Sequence, residues 1–191
     1  MYYHGSKVQG IKTLYPNLSL HNEKYVYLTT NKAVALIYTV NAIESFYEAN
    51  NLKKPSNFQP WYSYGFDKEL VPVIEEYYPD ATIETYSGKS GYIYVCKQPK
   101  NYENPTNIHC AIVTKEEVYT LEEYYIKDVY KEILEMEKLG LIKIKRYEFN
   151  CESYLNNIYS MIKDDIEKNS LNTDLESNYS IFLRAKFPSL F

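Results

Sequence analysis

Hydrophobic and polar positions change period along this chain, and the changes divide it into elements. "EKYVYLTT" is β-branched and aromatic with partial alternation, which predicts a strand over residues 24–29. Directly after it, Ala33, Leu36, Ile37, Val40 and Ile43 recur at helical spacing behind Thr30 or Asn31 as N-cap. This predicts a helix over 32–49. Residues 2–4 predict a short strand that runs into His4-Gly5. "GIKTLYPNLS" has no period, and Gly10 and Pro16 break it. "NLKKPSNFQPWYSYGF" reads as a loop, and "DKELVPVIEEYYP" as a short helix from Asp67 with Pro72 in its first turn or at a kink.

The second half is richer in strands. "ATIETYSGKSGYIYVCKQP" predicts a hairpin turning at Ser87–Gly91, and "IHCAIVT" and "EVYTLEEYYI" predict two more strands. "DVYKEILEMEKLG" is a helix with Asp128 as N-cap and Gly140 as its stop. "LIKIKRYEF" alternates as a strand, and "ESYLNNIYSMIKDDIEKN" is an amphipathic helix. The last 20 residues read as a small helix and tail. Strands and helices are segregated, so the expected class is α+β. Residues 1–149 form the expected main domain, and 150–191 a helical extension packed on it.

Composition narrows the function. The 191 residues are 45% hydrophobic and 24% charged, as in a soluble globular protein with a core of its own. No apolar run approaches a membrane span and no secretory leader is visible, so a cytoplasmic protein is expected. A net charge of −4 argues against broad nucleic-acid binding, which needs clustered Lys and Arg, though a local basic patch is compatible with it. Cys96, Cys110 and Cys151 are an odd, scattered set, expected as small buried side chains in a reducing compartment. No His, Cys and carboxylate cluster has metal spacing. Tyrosine stands out at 23 residues, consistent with an AT-rich bacterial or phage genome, so only tyrosines at a specific spacing carry weight.

Two segments combine into a pattern. "YYHGSKVQGI" closes a strand with His4-Gly5-Ser6. "KYVYLTTNKAVALIY" is a strand bearing Tyr27, a Thr-rich turn and a helix bearing Tyr38, eleven residues on. Over residues 2–41 this resembles the ADP-ribosyltransferase superfamily, in the His-Tyr-Glu branch shared by poly(ADP-ribose) polymerases and diphtheria-type toxins. The resemblance implies a fold of split mixed and antiparallel sheets flanked by helices, and NAD as substrate. The acceptor would be a protein or a nucleic acid, and the role that of a toxin, a phage-related effector or a host-modifying factor. It implies a catalytic set of His4, Tyr27 and a glutamate opening a later strand. Glu117 in "TKEEVYTLEEYYI" is the first choice, Glu116 the next, with Glu122 and Glu123 toward the end of the hairpin. The implied NAD-binding set is His4, Gly5, Ser6, Tyr27, Thr29, Ala35 and Tyr38. Ala35 stands where poly(ADP-ribose) polymerases carry a serine that holds the carboxamide.

The chemistry suits those residues. Cleaving the nicotinamide–ribose bond passes through an oxocarbenium-like ribose, as in glycoside hydrolysis, and a nearby carboxylate stabilises it. His4 would orient a ribose hydroxyl. Gly5, lacking a Cβ, would let its backbone approach the carboxamide. Tyr27 and Tyr38 would stack on the cationic nicotinamide ring. Two rivals stand beside this reading: a non-catalytic binding module on the same fold, and an RNA 2′-phosphotransferase. The latter relies on arginines that grip phosphate, and only Arg146 and Arg184 exist here. His21 would reach a ligand phosphate from its loop, His109 is expected to be structural, and the aromatic loop around Trp61 is expected to pack on the core, with a lid or a recognition surface as the alternatives.

Overall fold

The computed structural model describes residues 1–18, 23–40, 44–52, 62–106, 108–169 and 176–191. His21, Ile43 and Trp61 lie outside them. The chain forms two compact units: unit 1 is Met1–Val40 with Tyr86–Leu141, and unit 2 is Asn41–Thr85 with Ile142–Phe191. The expected boundary at 149/150 falls inside unit 2, and the segment expected to extend one domain shares that unit with residues 41–85.

Unit 1 carries β1 (Tyr2–Ser6), β2 (Thr13–Leu14), β3 (Asn17–Leu18), β4 (Lys24–Thr29) and α1 (Lys32–Ile37). In unit 2, α2 (Glu44–Ala49), β5 (Tyr62–Phe66) and β6 (Pro72–Glu76) follow, and α3 (Ala81–Tyr86) leads back to unit 1. There β7 (Gly91–Cys96), β8 (Ala111–Thr114), β9 (Val118–Ile126) and α4 (Val129–Lys138) complete it. Unit 2 ends with β10 (Lys143–Lys145), α5 (Glu152–Asn169) and α6 (Glu176–Lys186). This is α+β, with an antiparallel sheet in unit 1 and a mixed one in unit 2, both accompanied by helices. Among the described residues no helix is long and apolar enough to cross a membrane.

The main strands of unit 1 lie in the order β8-β4-β1-β7-β9, with two-residue β2 and β3 on β9 and β4. β1 pairs with β7 along its whole length, Tyr2↔Cys96 to Ser6↔Tyr92. With β4 it shares one pair, Tyr3↔Thr29. Alternation then sorts the side chains. Val26, Leu28, Tyr94, Cys96, Leu14 and Val118 pack together on one face, with Tyr2 and Tyr92 against them. Tyr25, Tyr27 and Thr29 project from the other face of β4.

Helix α1 lies against β1, β4 and β7. Asn31 caps it, its side chain accepting from the N–H groups of Ala33 and Val34. The predicted helix over 32–49 is two helices. Thr39 donates its hydroxyl to the Leu36 carbonyl at 2.7 Å, and its N–H goes to the same oxygen at 3.1 Å. That local competition ends α1 at Ile37. Thr39 is also packed against Gly91, where a Cβ would stand 2.7 Å from the Thr39 Cβ.

Four other elements differ from the pattern's reading, the first being β5, a strand at Tyr62–Phe66 in a stretch expected as a loop. The helix expected from Asp67 is a turn and a strand. Asp67 Oδ1 accepts from the N–H groups of Glu69 and Val71, both at 2.9 Å, and Leu70 adopts φ 62°. This side-chain turn displaces helix initiation. Pro72 then opens β6, a position that needs no ladder donor, and burial alternates along it. "ATIETY", expected as a hairpin arm, is helix α3. The buried Glu76 carboxylate accepts from the Thr82 N–H at 2.9 Å, and Ala81, Thr82, Thr85 and Tyr86 are buried at helical spacing. Tertiary contacts outweigh the β-branched propensity of its threonines. In "LIKIKRYEF" only Lys143–Lys145 is strand, parallel to β6, before a 3-10 turn at Tyr147–Phe149. The core of unit 2 gathers Tyr47, Tyr78, Ala81, Ile158, Ile162, Phe182, Leu183 and Phe187.

Candidate functional site

His4 sits where β1 and β4 part. Beyond the single Tyr3↔Thr29 pair the backbone ladder stops, and the His4 side chain takes over: Nδ1 lies 2.9 Å from the Tyr27 carbonyl oxygen. A carbonyl only accepts, so Nδ1 carries the proton. Burial holds the His4 pKa below its usual value, and the bond to Tyr27 opposes this in part. The ring is therefore neutral near pH 7, with Nε2 a proton-free acceptor.

Across the sheet, His4 is opposite Tyr94 on β7, and Tyr94 is opposite Glu123 on β9. Residues opposed in register share a face, so the three stand in one row. Neighbouring strands are about 4.8 Å apart, which leaves His4 and Glu123 roughly 10 Å apart at the backbone. Glu123 Oε2 accepts from the Gly10 N–H at 2.6 Å and from the Tyr94 hydroxyl at 2.8 Å. Glu123 is exposed, and Oε1 has no partner among the described residues. The Tyr94 hydroxyl also lies 2.7 Å from the Val8 carbonyl and 3.3 Å from the Ile11 N–H, which donates to it. Burial, with Glu123 close by, pushes the Tyr94 phenol up to about 12, so it stays a neutral donor. Segment 8–11 is thereby fastened over the row.

The next row holds Ser6, Tyr92 and Tyr125. The Tyr92 and Tyr125 ring centroids are 5.2 Å apart at 42°, and Tyr92 and Tyr94 are 6.5 Å apart at 31°. This half-buried to exposed aromatic strip lies beside the His4–Glu123 row on the same face.

The other expected site residues distribute as follows. Glu117 is exposed and precedes β9, at the opposite end of that strand from Glu123. Glu116 accepts from Asn101 Nδ2 at 2.5 Å and from the Lys100 N–H at 3.0 Å, and the Asn101 bond is the main reason its pKa is lowered. It anchors a loop. Glu122 is hydrogen-bonded by the Tyr124 hydroxyl, and alternation puts it on the face opposite Glu123. Tyr27 meets His4 through its carbonyl, while its ring projects from the opposite face of the sheet, 6.2 Å from the Tyr25 ring. Tyr38 is the C-cap of α1 and 57% exposed. Thr29 is buried, and its hydroxyl accepts from the Asn31 N–H at 3.1 Å.

Gly5 has a packing role. A Cβ there would lie 1.9 Å from the Ala35 carbonyl oxygen, so only glycine lets α1 lie this close to β1. Ala35 is buried at that contact. The Ser6 hydroxyl accepts from the Val8 N–H at 3.1 Å and starts the turn into segment 8–11. His109 is exposed just before β8. Among the described residues no group of His, Cys, Asp and Glu is arranged to hold a metal ion. Cys96 and Cys110 are buried and free, whereas Cys151 is free and exposed. The pattern reading did not single out Tyr92, Tyr94 and Tyr125. Their signal was the alternation in "GYIYVC" and "EEYYI", but register alone says which face those tyrosines share with His4.

The chain matches no family model, no curated protein and no solved structure.

Proposed function

We propose that unit 1 is an ADP-ribosyltransferase-like domain that cleaves NAD and transfers ADP-ribose to a protein or nucleic-acid acceptor, with Glu123 as the carboxylate. The observation that carries this is the His4–Tyr94–Glu123 row. It sets a neutral imidazole acceptor and an ionisable carboxylate on one sheet face, with Tyr94 between them. The parting of β1 from β4 at the His-Gly motif is also in keeping with a split sheet. His4 Nε2 would accept from a ribose hydroxyl and fix the sugar. The C1′–N bond breaks, nicotinamide leaves with the bonding pair, and Glu123 stabilises the ribosyl cation. The acceptor then bonds to C1′ and passes its proton to Glu123.

Nicotinamide release from NAD tests this. The expected outcome is loss of about 100-fold or more in His4→Ala and Glu123→Gln, with Glu117→Gln at the wild-type rate. The Gln side chain at 123 can still accept from Gly10 and Tyr94, so the fold is spared. Loss in Glu117→Gln alone would return the role to Glu117, and no release from the wild type would remove the reading.

A non-catalytic module is the second reading. The packing of Gly5 against Ala35 and the placement of the Tyr27 ring away from His4 favour it, since both weaken the expected nicotinamide cradle. The phosphotransferase reading has less support, since the chain carries only two arginines, Arg146 and Arg184, to grip phosphate.

A further inference from the structure

We infer that the open edge of β9 is an interface between two copies of this chain, which pair antiparallel about a twofold axis at Tyr125 and set Glu123 of each against Lys127 of the other. The inference goes beyond the transferase reading and does not need it. β9 is the outermost long strand of its sheet, and two-residue β2 pairs only with Val118 and Tyr119. The Thr120 N–H still reaches the Lys12 carbonyl at 3.0 Å. Traced back from Lys12, the chain then leaves the edge. The Ile11 N–H goes to the Tyr94 hydroxyl at 3.3 Å and the Gly10 N–H to Glu123 Oε2, so segment 8–11 crosses the sheet face instead of following β9. Beyond Thr120, the outer edge of β9 makes no backbone hydrogen bond among the described residues. Residues 121–125 are all exposed, where alternation on a half-covered strand would bury every second one, and Tyr125 is 58% exposed. Unpaired N–H and C=O groups flanked by exposed apolar side chains are a template for another strand.

Charge along the strand selects the occupant. A twofold axis through a sheet sets one residue opposite its own copy. Centred on Glu122 or Glu123, the ladder would put a carboxylate directly opposite its own copy, which destabilises an antiparallel pair. Centred on Tyr124, it would set the two glutamates opposite Ile126 and Tyr125, with no charged pair. Centred on Tyr125, it sets Glu123 opposite Lys127 of the second copy and Lys127 opposite Glu123, on either side of a Tyr125–Tyr125 contact. Of the centres along the open edge, only this one pairs opposite charges, and it does so twice. Both groups are available for it. Glu123 spends Oε2 on Gly10 and Tyr94, and Oε1 has no partner among the described residues. Lys127 is exposed and makes no ion pair among the described residues. Asp128 lies past the ladder, where its carboxylate accepts from the Lys131 N–H at 3.2 Å as the cap of α4. The Tyr92 ring, with its centroid 5.2 Å from that of Tyr125, backs the central contact.

The test is analytical ultracentrifugation of the full chain over a range of concentrations. The mass should rise from one chain to two. Lys127→Glu should weaken association about tenfold or more, since it turns two symmetry-related attractions into repulsions. Lys127→Arg should keep it. Glu123→Lys alone should weaken it as well, and Glu123→Lys combined with Lys127→Glu should restore it. Hydrogen exchange reads the same contact from the backbone. At concentrations where the wild type is dimeric, amides of residues 121–126 should exchange more slowly than in Lys127→Glu, while Thr120, already bonded to Lys12, exchanges alike in both. A single-chain mass at every concentration, or a dimer indifferent to Lys127→Glu, overturns the inference. A dimer whose β9 amides exchange as in the monomer places the contact elsewhere and overturns it too.

Discussion

At the residue scale, His4 shows how a strand position becomes a chemical one. Its imidazole replaces a ladder hydrogen bond, and burial keeps it neutral. The sign of the pH effect follows. Unfolded, His4 titrates near its usual 6.5, and folded, its pKa is lower. The unfolded chain therefore binds more protons between the two values. The stability His4 supports is full above about 6.5 and is lost as pH falls through the folded value. His4→Asn keeps a donor for the Tyr27 carbonyl but does not titrate. The difference in Tm between wild type and His4→Asn should shrink from pH 7.5 to pH 5, measured by thermal melts. A difference that grows in acid would assign His4 the protonated form. At this scale the sequence was informative about identity but not orientation. His4-Gly5 was legible as a motif. That Gly5 serves α1 packing, and that Glu123 rather than Glu117 shares the His4 row, depends on register.

At the element scale, the well-read parts are those whose start and stop signals are local. Asp128 caps α4, and Gly140 at φ 72° ends it, with the Leu141 N–H returning to the Met136 carbonyl at 2.9 Å. Asp128→Ala should cost about 1 kcal/mol, read by urea denaturation. Asn31→Ala should cost as much and speed amide exchange at Ala33 and Val34, since α1 has six residues and this one side chain serves two of its N–H groups. The misread elements have distant causes. Glu76, from the adjoining strand, captures the first turn of α3, and its other oxygen accepts from the Tyr147 N–H at 3.1 Å. The Asp67 turn is held further by Lys143, 76 residues away, whose hydrogen bond is the main reason the Asp67 pKa is lowered.

At the scale of the whole molecule, the chain passes between its two units three times, after Val40, Thr85 and Leu141. Each unit has its own sheet, and unit 2 its own aromatic core. Phe182 is fully buried there, with its ring 5.2 Å from Phe46 and 6.0 Å from Tyr78 in edge-on contact. Phe182→Ala should cost about 3–5 kcal/mol. Hydrogen exchange should quicken first at Ile158, Ile162 and Leu183, and uniform quickening across unit 1 would mean that one cooperative block spans both. By itself the sequence determined the α+β class, the strands at 24–29 and 118–126, the capped helix at 129–138 and the His-Gly end of the first strand. Hydrophobic period, caps and turn residues act within a few positions and need nothing else. Only the tertiary structure decided the interleaved units, the conversion of residues 67–76 to turn and strand, and the choice of carboxylate and tyrosines that share a face with His4. The shared face comes from β1 pairing with β7, whose partners lie 86 to 94 residues apart, and from β7 pairing with β9, whose partners lie 24 to 35 apart, where a shift of one position would send every side chain to the opposite face.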